Sequence, residues 1–230
     1  MFVLTIDQRG STGDRDRVPE LISELRVLTD PAGGAAFERS VGDEVQGVLA
    51  DPGAVVDAAL HALRSGRWYV GIGVGHVVLP PGASSREGSG AGFVAARRAV
   101  EAAKAAAPLV PLSVVSGAMG TDAGGTPAGD EGVRACANAE AVLRLLGRLV
   151  HERTEAQWRV VDALRRLGPD RHGRQKQVAG ELGITEQSVS RTLVRSGWQE
   201  EWAARPAAAM LLEYARTRIV GPGGASDAGG

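Results

Sequence analysis

Between residues 175 and 195, polar side chains of the kinds that contact nucleic acids accompany an apolar pattern typical of two short helices. Gly183 supplies the turn between the helices, because a left-handed backbone costs glycine little, and Thr185 is placed to cap the second helix. Six apolar positions are spaced to lie on one buried side: Val178, Ala179, Leu182, Ile184, Val189 and Leu193. The same spacing leaves five polar side chains exposed: Glu186, Gln187, Ser190, Arg191 and Arg195.

These exposed side chains predict contacts with duplex DNA. Gln187 and Arg191 are of the types that read base edges in the major groove, and Glu186 is able to accept a hydrogen bond from cytosine. Thr185 belongs to the predicted interface as the start of the same helix, and phosphate contacts are expected from Lys176, Ser190 and Arg195. Residues 159–195 carry a net charge of +4, whereas residues 1–150 carry −3. The segment therefore predicts a DNA-binding helix-turn-helix; the alternative is a structural helical hairpin with a solvated polar face.

Two carboxylates are predicted to meet at one edge of a β-sheet. The apolar run at 2–6 is typical of a buried strand, and Asp7 follows it. Gly42 and Asp43 separate two strand-like runs, which is typical of a tight hairpin turn of the type II′ kind. If these strands are neighbours, the pair could hold Mg²⁺ against nucleotide phosphates, because Mg²⁺ prefers hard oxygen ligands. Taken singly, each Asp is also consistent with a purely structural role in a turn.

The stretch SSREGSGAG, at 84–92, precedes an Ala-rich helix. Backbone N–H groups at the start of a helix can bind phosphate, so Ser85 and Arg86 are candidate nucleotide-binding residues. A single glycine-rich loop is a weak indicator, and an ordinary surface loop is the alternative.

Four short motifs resemble the core of class III nucleotidyl cyclases: IDQRGST at 6–12, RSVGDEV at 39–45, GIGVG at 71–75 and GFVAARRA at 92–99. The resemblance covers roughly residues 1–107. It implies that Asp7 and Asp43 are metal ligands, that Arg39 contacts a base and that Arg97 stabilises phosphoryl charge. Phe93 stands where the family has an Asn that orients the ribose, which puts turnover in doubt.

The whole-chain pattern is similar to the SatD family across most of residues 1–215. The similarity lies in LTIDQRGS, FERSVGDEVQGVL and SSREGSG, followed by the helix-turn-helix pattern. It implies an architecture more than an activity.

The predicted architecture has two domains and a tail. Residues 1–150 form an α/β domain, which the cyclase resemblance makes ferredoxin-like or palm-like, and residues 151–216 form an all-α helix-turn-helix domain. Within the second domain, a helix is expected from Thr154 to Leu167 and a last helix from Pro206. An exit helix at about 134–149 ends the first domain, low-complexity residues 117–132 precede it, and residues 217–230 are predicted to be disordered.

Several classes of protein are disfavoured by composition. Cys136 is the single cysteine, so no intramolecular disulfide can form, and the four histidines lack metal-ligand spacing. The first residues do not resemble a signal peptide, and no stretch approaches the roughly 20 apolar residues of a membrane span. We therefore expect a cytoplasmic protein with no membrane partner.

These features favour a sequence-specific DNA-binding regulator whose first domain senses a nucleotide or forms a dimer. The modest positive charge of the DNA-binding segment provides few phosphate contacts, so we expect a homodimer. The alternative is a Mg²⁺-dependent nucleotidyl cyclase or related phosphoryl-transfer enzyme, and a third candidate is a dimerisation module with an empty site.

Overall fold

The computed structural model describes residues 1–29, 34–105, 110–117, 127–168 and 173–221. Within these ranges the chain is a mixed α/β protein. The strands are β1 (Phe2–Gln8), β2 (Ala35–Arg39), β3 (Glu44–Leu49), β4 (Trp68–Val74) and β5 (Leu112–Ser116). The helices are α1 (Val18–Leu28), α2 (Pro52–Arg64), α3 (Ala91–Ala105), α4 (Pro127–His151), α5 (Glu155–Arg166), α6 (Arg174–Leu182), α7 (Glu186–Arg195) and α8 (Trp198–Val220).

The five strands form one sheet in the order β2-β3-β1-β4-β5. β1 is antiparallel to both β3 and β4, β2 is antiparallel to β3, and only β5 runs parallel to its neighbour, β4. The expected hairpin is present between β2 and β3, where Gly42 has a φ of 58° and Ser40 N–H donates to the Glu44 carbonyl at 2.9 Å. The central strand β1 places Asp7 directly opposite Glu44 of β3.

The two faces of this sheet are covered differently. Alternation along β1 sends Phe2, Leu4 and Ile6 into the main core, where helices α1, α2 and α4 also contribute buried side chains. The second face carries α3, which packs across β4, β5 and β1. Gly71 and Gly73 permit this close approach, because a Cβ at either position would collide with the α3 backbone. The β2–β3 half of the second face is reached by a short 3₁₀ turn at Ser85–Glu87 instead.

The free edge of β5 is closed by side chains of α4. Glu140 accepts hydrogen bonds from Val114 N–H and from the Ser113 hydroxyl, both at 2.8 Å, and Arg144 Nε donates to the Leu112 carbonyl at 2.9 Å. An edge strand with satisfied backbone groups is a poor template for pairing with another chain.

The last helix is longer than its sequence predicts. α8 begins at Trp198 rather than at Pro206, and it runs through that proline. Proline removes only one helical hydrogen bond, and α8 is held along α4 by the buried side chains of Ala208, Leu212 and Ala215. α8 ends at Val220, so its last turn lies inside the segment 217–230 predicted to be disordered. Residues 222–230 of that segment lie outside the described residues.

Helix α4 also differs from expectation, since it starts at Pro127 and not near residue 134. Of the low-complexity stretch 117–132, residues 118–126 lie outside the described residues. The end of α4 at His151 coincides with the predicted domain boundary at 150, but α8 returns to pack on α4 and α2. No helix in the described part of the chain is long and apolar enough to cross a membrane.

Candidate functional site

Helices α5, α6 and α7 form a three-helix unit. Thr154 and Gln157 close a capping box at the start of α5, and Trp158, Val161 and Leu164 of this helix are buried. Gly183 has a φ of 64° in the turn after α6, and the Thr185 hydroxyl accepts a hydrogen bond from Ser188 N–H at 3.1 Å.

The apolar pattern of the segment is confirmed with one exception. Val178, Ala179, Val189 and Leu193 are buried, and Leu182 packs partly buried against the same core. Ile184, predicted to be buried, is 39 % exposed. It lies in the turn itself, where its N–H donates to the Ala179 carbonyl at 3.0 Å and closes the end of α6.

The predicted DNA-contacting residues lie on the surface of this unit, Lys176 on α6 and the others at the start of or along α7. All of them are exposed: Lys176, Thr185, Glu186, Gln187, Ser190, Arg191 and Arg195. Arg191 Nε donates only to the carbonyl of Gln187, one turn earlier on the same helix, at 3.4 Å. Among the described residues, neither Lys176 nor Arg195 has an ion-pair partner. The polar face of α7 is therefore not paired with charged groups of the described residues.

The three-helix unit is attached to the sheet unit by an arginine that sequence reasoning missed. Arg64 of α2 donates two hydrogen bonds to Asp162 of α5, at 2.9 and 2.6 Å, and its guanidinium lies 3.8 Å from the centroid of the Trp158 ring. The partners are almost a hundred positions apart, so no local pattern could have paired them.

A second attachment is a buried ion network. Arg153 and Glu201 are each 1 % exposed and lie 3.1 Å apart, and Arg153 Nε also donates to the Ser196 carbonyl at 2.9 Å. Arg205 bridges Glu201 to Asp57 of α2. Burial lowers the pKa of the Arg153 guanidinium, and the charge of Glu201 opposes that shift.

One of the two carboxylates predicted to bind a metal ion, Asp7, forms an ion pair with a lysine side chain. Asp7 Oδ2 lies 3.0 Å from Nζ of Lys104, a residue on α3 that sequence reasoning did not select. Burial raises the pKa of Asp7; Lys104 opposes the shift, and the charge of Asp43 adds to it. Asp43 is thus within electrostatic reach of Asp7. The described residues contain no group of three or more His, Cys, Asp or Glu side chains that could hold a metal ion.

Arg39, predicted to contact a base, has its guanidinium bonded to the Asp16 carboxylate and to the Gly42 carbonyl, next to Asp43 in the chain. Arg39 lies opposite Val45, whose side chain enters the main core, and its guanidinium is 2.5 Å from Asp16 in the segment before α1. Since neighbours along a strand alternate between faces, Glu38 and not Arg39 shares the second face with Asp7.

The backbone donors predicted to bind phosphate are partly taken by that same Glu38. Its Oε1 accepts from the Ser85 hydroxyl at 2.8 Å and from Arg86 N–H at 3.1 Å. Burial acts to raise the pKa of Glu38, but hydrogen bonds from Ser85, Ser84 and Arg86 outweigh it and lower the pKa. The carboxylate anchors the 84–90 loop to β2, and the Arg86 side chain stays exposed.

A groove of about 500 Å³ lies between α3 and this loop. Gln46 of β3 contributes to its lining, and Phe93 packs so closely on Gly88 that a Cβ there would collide with the ring. The remaining lining residues are Ser40, Val41, Arg86, Val94, Arg97 and Arg98. The groove therefore brings together three of the predicted nucleotide-site positions, Arg86, Phe93 and Arg97, and adds Arg98.

No family model, curated protein or solved structure matches this chain. The resemblances to the cyclase and SatD families therefore stay predictions from their motifs.

Proposed function

We propose that this protein is a sequence-specific DNA-binding regulator whose contacts are made by α7. The observation that carries the proposal is the exposed polar face of a capped, rigidly packed helix, on which Gln187, Arg191 and Arg195 have no side-chain partner elsewhere in the described chain. A helix of this kind, following a tight turn after α6, has the arrangement of a helix-turn-helix recognition helix. A structural hairpin would not require Arg191 and Arg195, one turn apart on α7, to lack carboxylate partners among the described residues.

The strand order supports a ferredoxin-like or palm-like architecture for the sheet unit. The four strands β2-β3-β1-β4 are antiparallel neighbours, with α1 and α2 connecting them. In this proposal the unit senses a ligand or forms the dimer, in the cytoplasm, and the three-helix unit binds DNA.

Selection of bound sequences from random duplexes by the purified chain tests the proposal. Arg191→Ala is expected to cost about 1–3 kcal/mol of binding free energy and to relax specificity at one base pair. Lys176→Ala is expected to weaken all sequences alike and to reduce the salt dependence. Recovery of no enriched sequence would contradict the proposal.

A homodimer is part of the same proposal, because one three-helix unit offers few cationic side chains to phosphates. The selected sequence should then contain two half-sites about one helical turn apart, or a multiple of it. Light scattering of the free protein and of its DNA complex gives the mass that decides this, and a monomer in both states would refute it.

Magnesium-dependent phosphoryl transfer is the second candidate, and the electrostatic interaction of Asp43 with Asp7, which pairs with Glu44 across the strands, favours it. The arrangement fits Mg²⁺ poorly, however, since Lys104 already neutralises Asp7 and no third ligand joins the pair within the described residues. Incubation of the chain with ATP or GTP and Mg²⁺ tests this candidate. Cyclisation at several turnovers per second would establish the enzyme.

A further inference from the structure

Most arginines in the described part of the chain contact a carboxylate, a carbonyl or an aromatic ring of the protein. Arg86, Arg97 and Arg98 have neither a hydrogen bond from their guanidinium groups nor an ion pair with any described residue, and all three are exposed. These three arginines are far from α7 in the sequence. They line one groove beside α3.

The fold holds these three side chains around a common space. Arg97 and Arg98 follow Phe93 and Val94 by one helical turn on α3, so each pair shares a row on the helix surface. Arg86 approaches from the opposite wall, and the bonds from Ser85 and from its own N–H to Glu38 hold its backbone. The cations are therefore presented by two anchored elements.

The chemistry of the lining selects an anion. Within the described part of the chain no carboxylate lines the groove; Glu38 accepts from the Arg86 N–H beside it, and Glu44 interacts electrostatically with Arg97. Burial raises the pKa of Glu44, and a hydrogen bond from Ser40 and the charge of Arg97 oppose that shift. The planar guanidinium fork matches phosphate oxygens with two parallel hydrogen bonds, and three such groups suit a ligand with two or more negative charges.

The size and the apolar part of the groove select a small organic ligand. A volume of about 500 Å³ falls within the range of small-molecule sites. Phe93, Val94 and Val41 provide apolar surface beside the arginines, and the largely buried Gln46 offers an amide for hydrogen bonding.

We propose that this groove binds a small phosphorylated ligand, through Arg86, Arg97 and Arg98, without a metal ion. A cation is unnecessary here, because the guanidinium groups themselves neutralise the phosphate and would repel a divalent metal. This assigns the ligand of the sheet unit to a groove whose lining does not include Asp7 or Asp43. The proposal rests on the sensing role proposed above but not on DNA binding.

Calorimetry with the full chain in EDTA tests the proposal. The probes are inorganic pyrophosphate, ADP and ribose 5-phosphate, which distinguish a bare phosphate site, a nucleotide site and a sugar-phosphate site. At least one probe is expected to bind. Arg97→Ala and Arg98→Ala are each expected to weaken it about 10-fold or more, as the loss of one charge-assisted hydrogen bond predicts. The matched control is Arg134→Ala, an exposed α4 arginine outside the groove and without an ion pair among the described residues, which should leave the affinity unchanged.

Three results would overturn the proposal: no probe binds in EDTA, binding requires Mg²⁺, or Arg97→Ala and Arg134→Ala weaken the probe equally. Loss of duplex DNA binding in Arg97→Ala, with the probes unaffected, would assign the groove to DNA and also overturn it. Arg191→Ala should alter DNA binding and leave probe binding intact. Failure of the DNA-binding proposal is therefore distinguishable from failure of this one.

Discussion

Two grooves of similar size contain several arginines each and differ in how those arginines are paired. One, of about 540 Å³ between α1, α2 and α5, is lined by Arg15, Arg17, Arg64 and Arg67. Each of these lies within 4 Å of an Asp or Glu carboxylate. The arginines of the α3 groove have no such partner among the described residues. Residue type alone therefore does not identify a ligand site; the pairing within the fold does.

If paired arginines hold the structure together, the largest effect should come from the most buried pair. Glu201→Ala removes the partner of Arg153 and leaves a cation buried, which is expected to lower the free energy of unfolding by about 3–5 kcal/mol. Urea denaturation measures it. Glu213→Ala on the same helix breaks the more exposed pair with Arg216 and should cost less than about 1 kcal/mol. Equal losses in the two variants would contradict this assignment.

A smaller loss is expected at the paired groove itself. Arg64→Ala removes two hydrogen bonds to the partly exposed Asp162 and the contact with the buried Trp158, and should cost about 1–2 kcal/mol. Arg67, whose nearest carboxylate oxygen on Asp14 is 3.5 Å away, serves as the control and should change stability by less than about 0.5 kcal/mol when replaced by Ala. If thermal unfolding shows Arg64→Ala to be as stable as the native chain, the predicted structural role of Arg64 is wrong.

The Asp7–Lys104 pair is predicted to give a pH-dependent effect of smaller size. Because the folded-state pKa of Asp7 is raised above 3.8, the folded state binds its proton more tightly, and this group's contribution to stability falls as pH rises through that raised pKa. Asp7→Asn lacks this term, so its stability relative to the native chain should increase with pH above 3.8. Unfolding of both proteins from pH 3.5 to 7 measures the difference, and a difference that moves the other way would refute the burial argument.

The smallest effect is expected in the α3 groove. Arg98→Ala removes an exposed side chain that contacts no carboxylate, so unfolding in the absence of ligand should change by no more than about 0.5 kcal/mol. Thermal unfolding with and without pyrophosphate sharpens the contrast, because a ligand of the folded state stabilises the native chain and should stabilise this variant less. A large loss of stability without ligand would instead assign Arg98 a structural role.

Short-range features were predictable, because the interactions that decide them lie within a few residues. The buried strand β1, the turn at Gly42, the left-handed Gly183 and the Thr185 cap all follow from the local sequence. The exposed polar face of α7 follows from helical periodicity in the same way.

The composition of each site was decided by the tertiary structure. Asp7 lies beside Lys104, Arg39 turns toward Asp16, and Glu38 occupies the donors at Ser85 and Arg86. No spacing rule links these partners, since they meet only when α3 and the 84–90 loop pack on the second face of the sheet. A bulge between Ala35 and Glu38 also shifts the register of β2, and register controls which side chain faces the groove.

The sequence by itself determined the elements, their caps and the supply of cationic side chains. Only the tertiary structure decided which cations are neutralised inside the protein and which stay available to a phosphate. The physical reason is that ion pairing depends on distances of a few ångströms between residues far apart in the chain, and packing of the elements sets those distances.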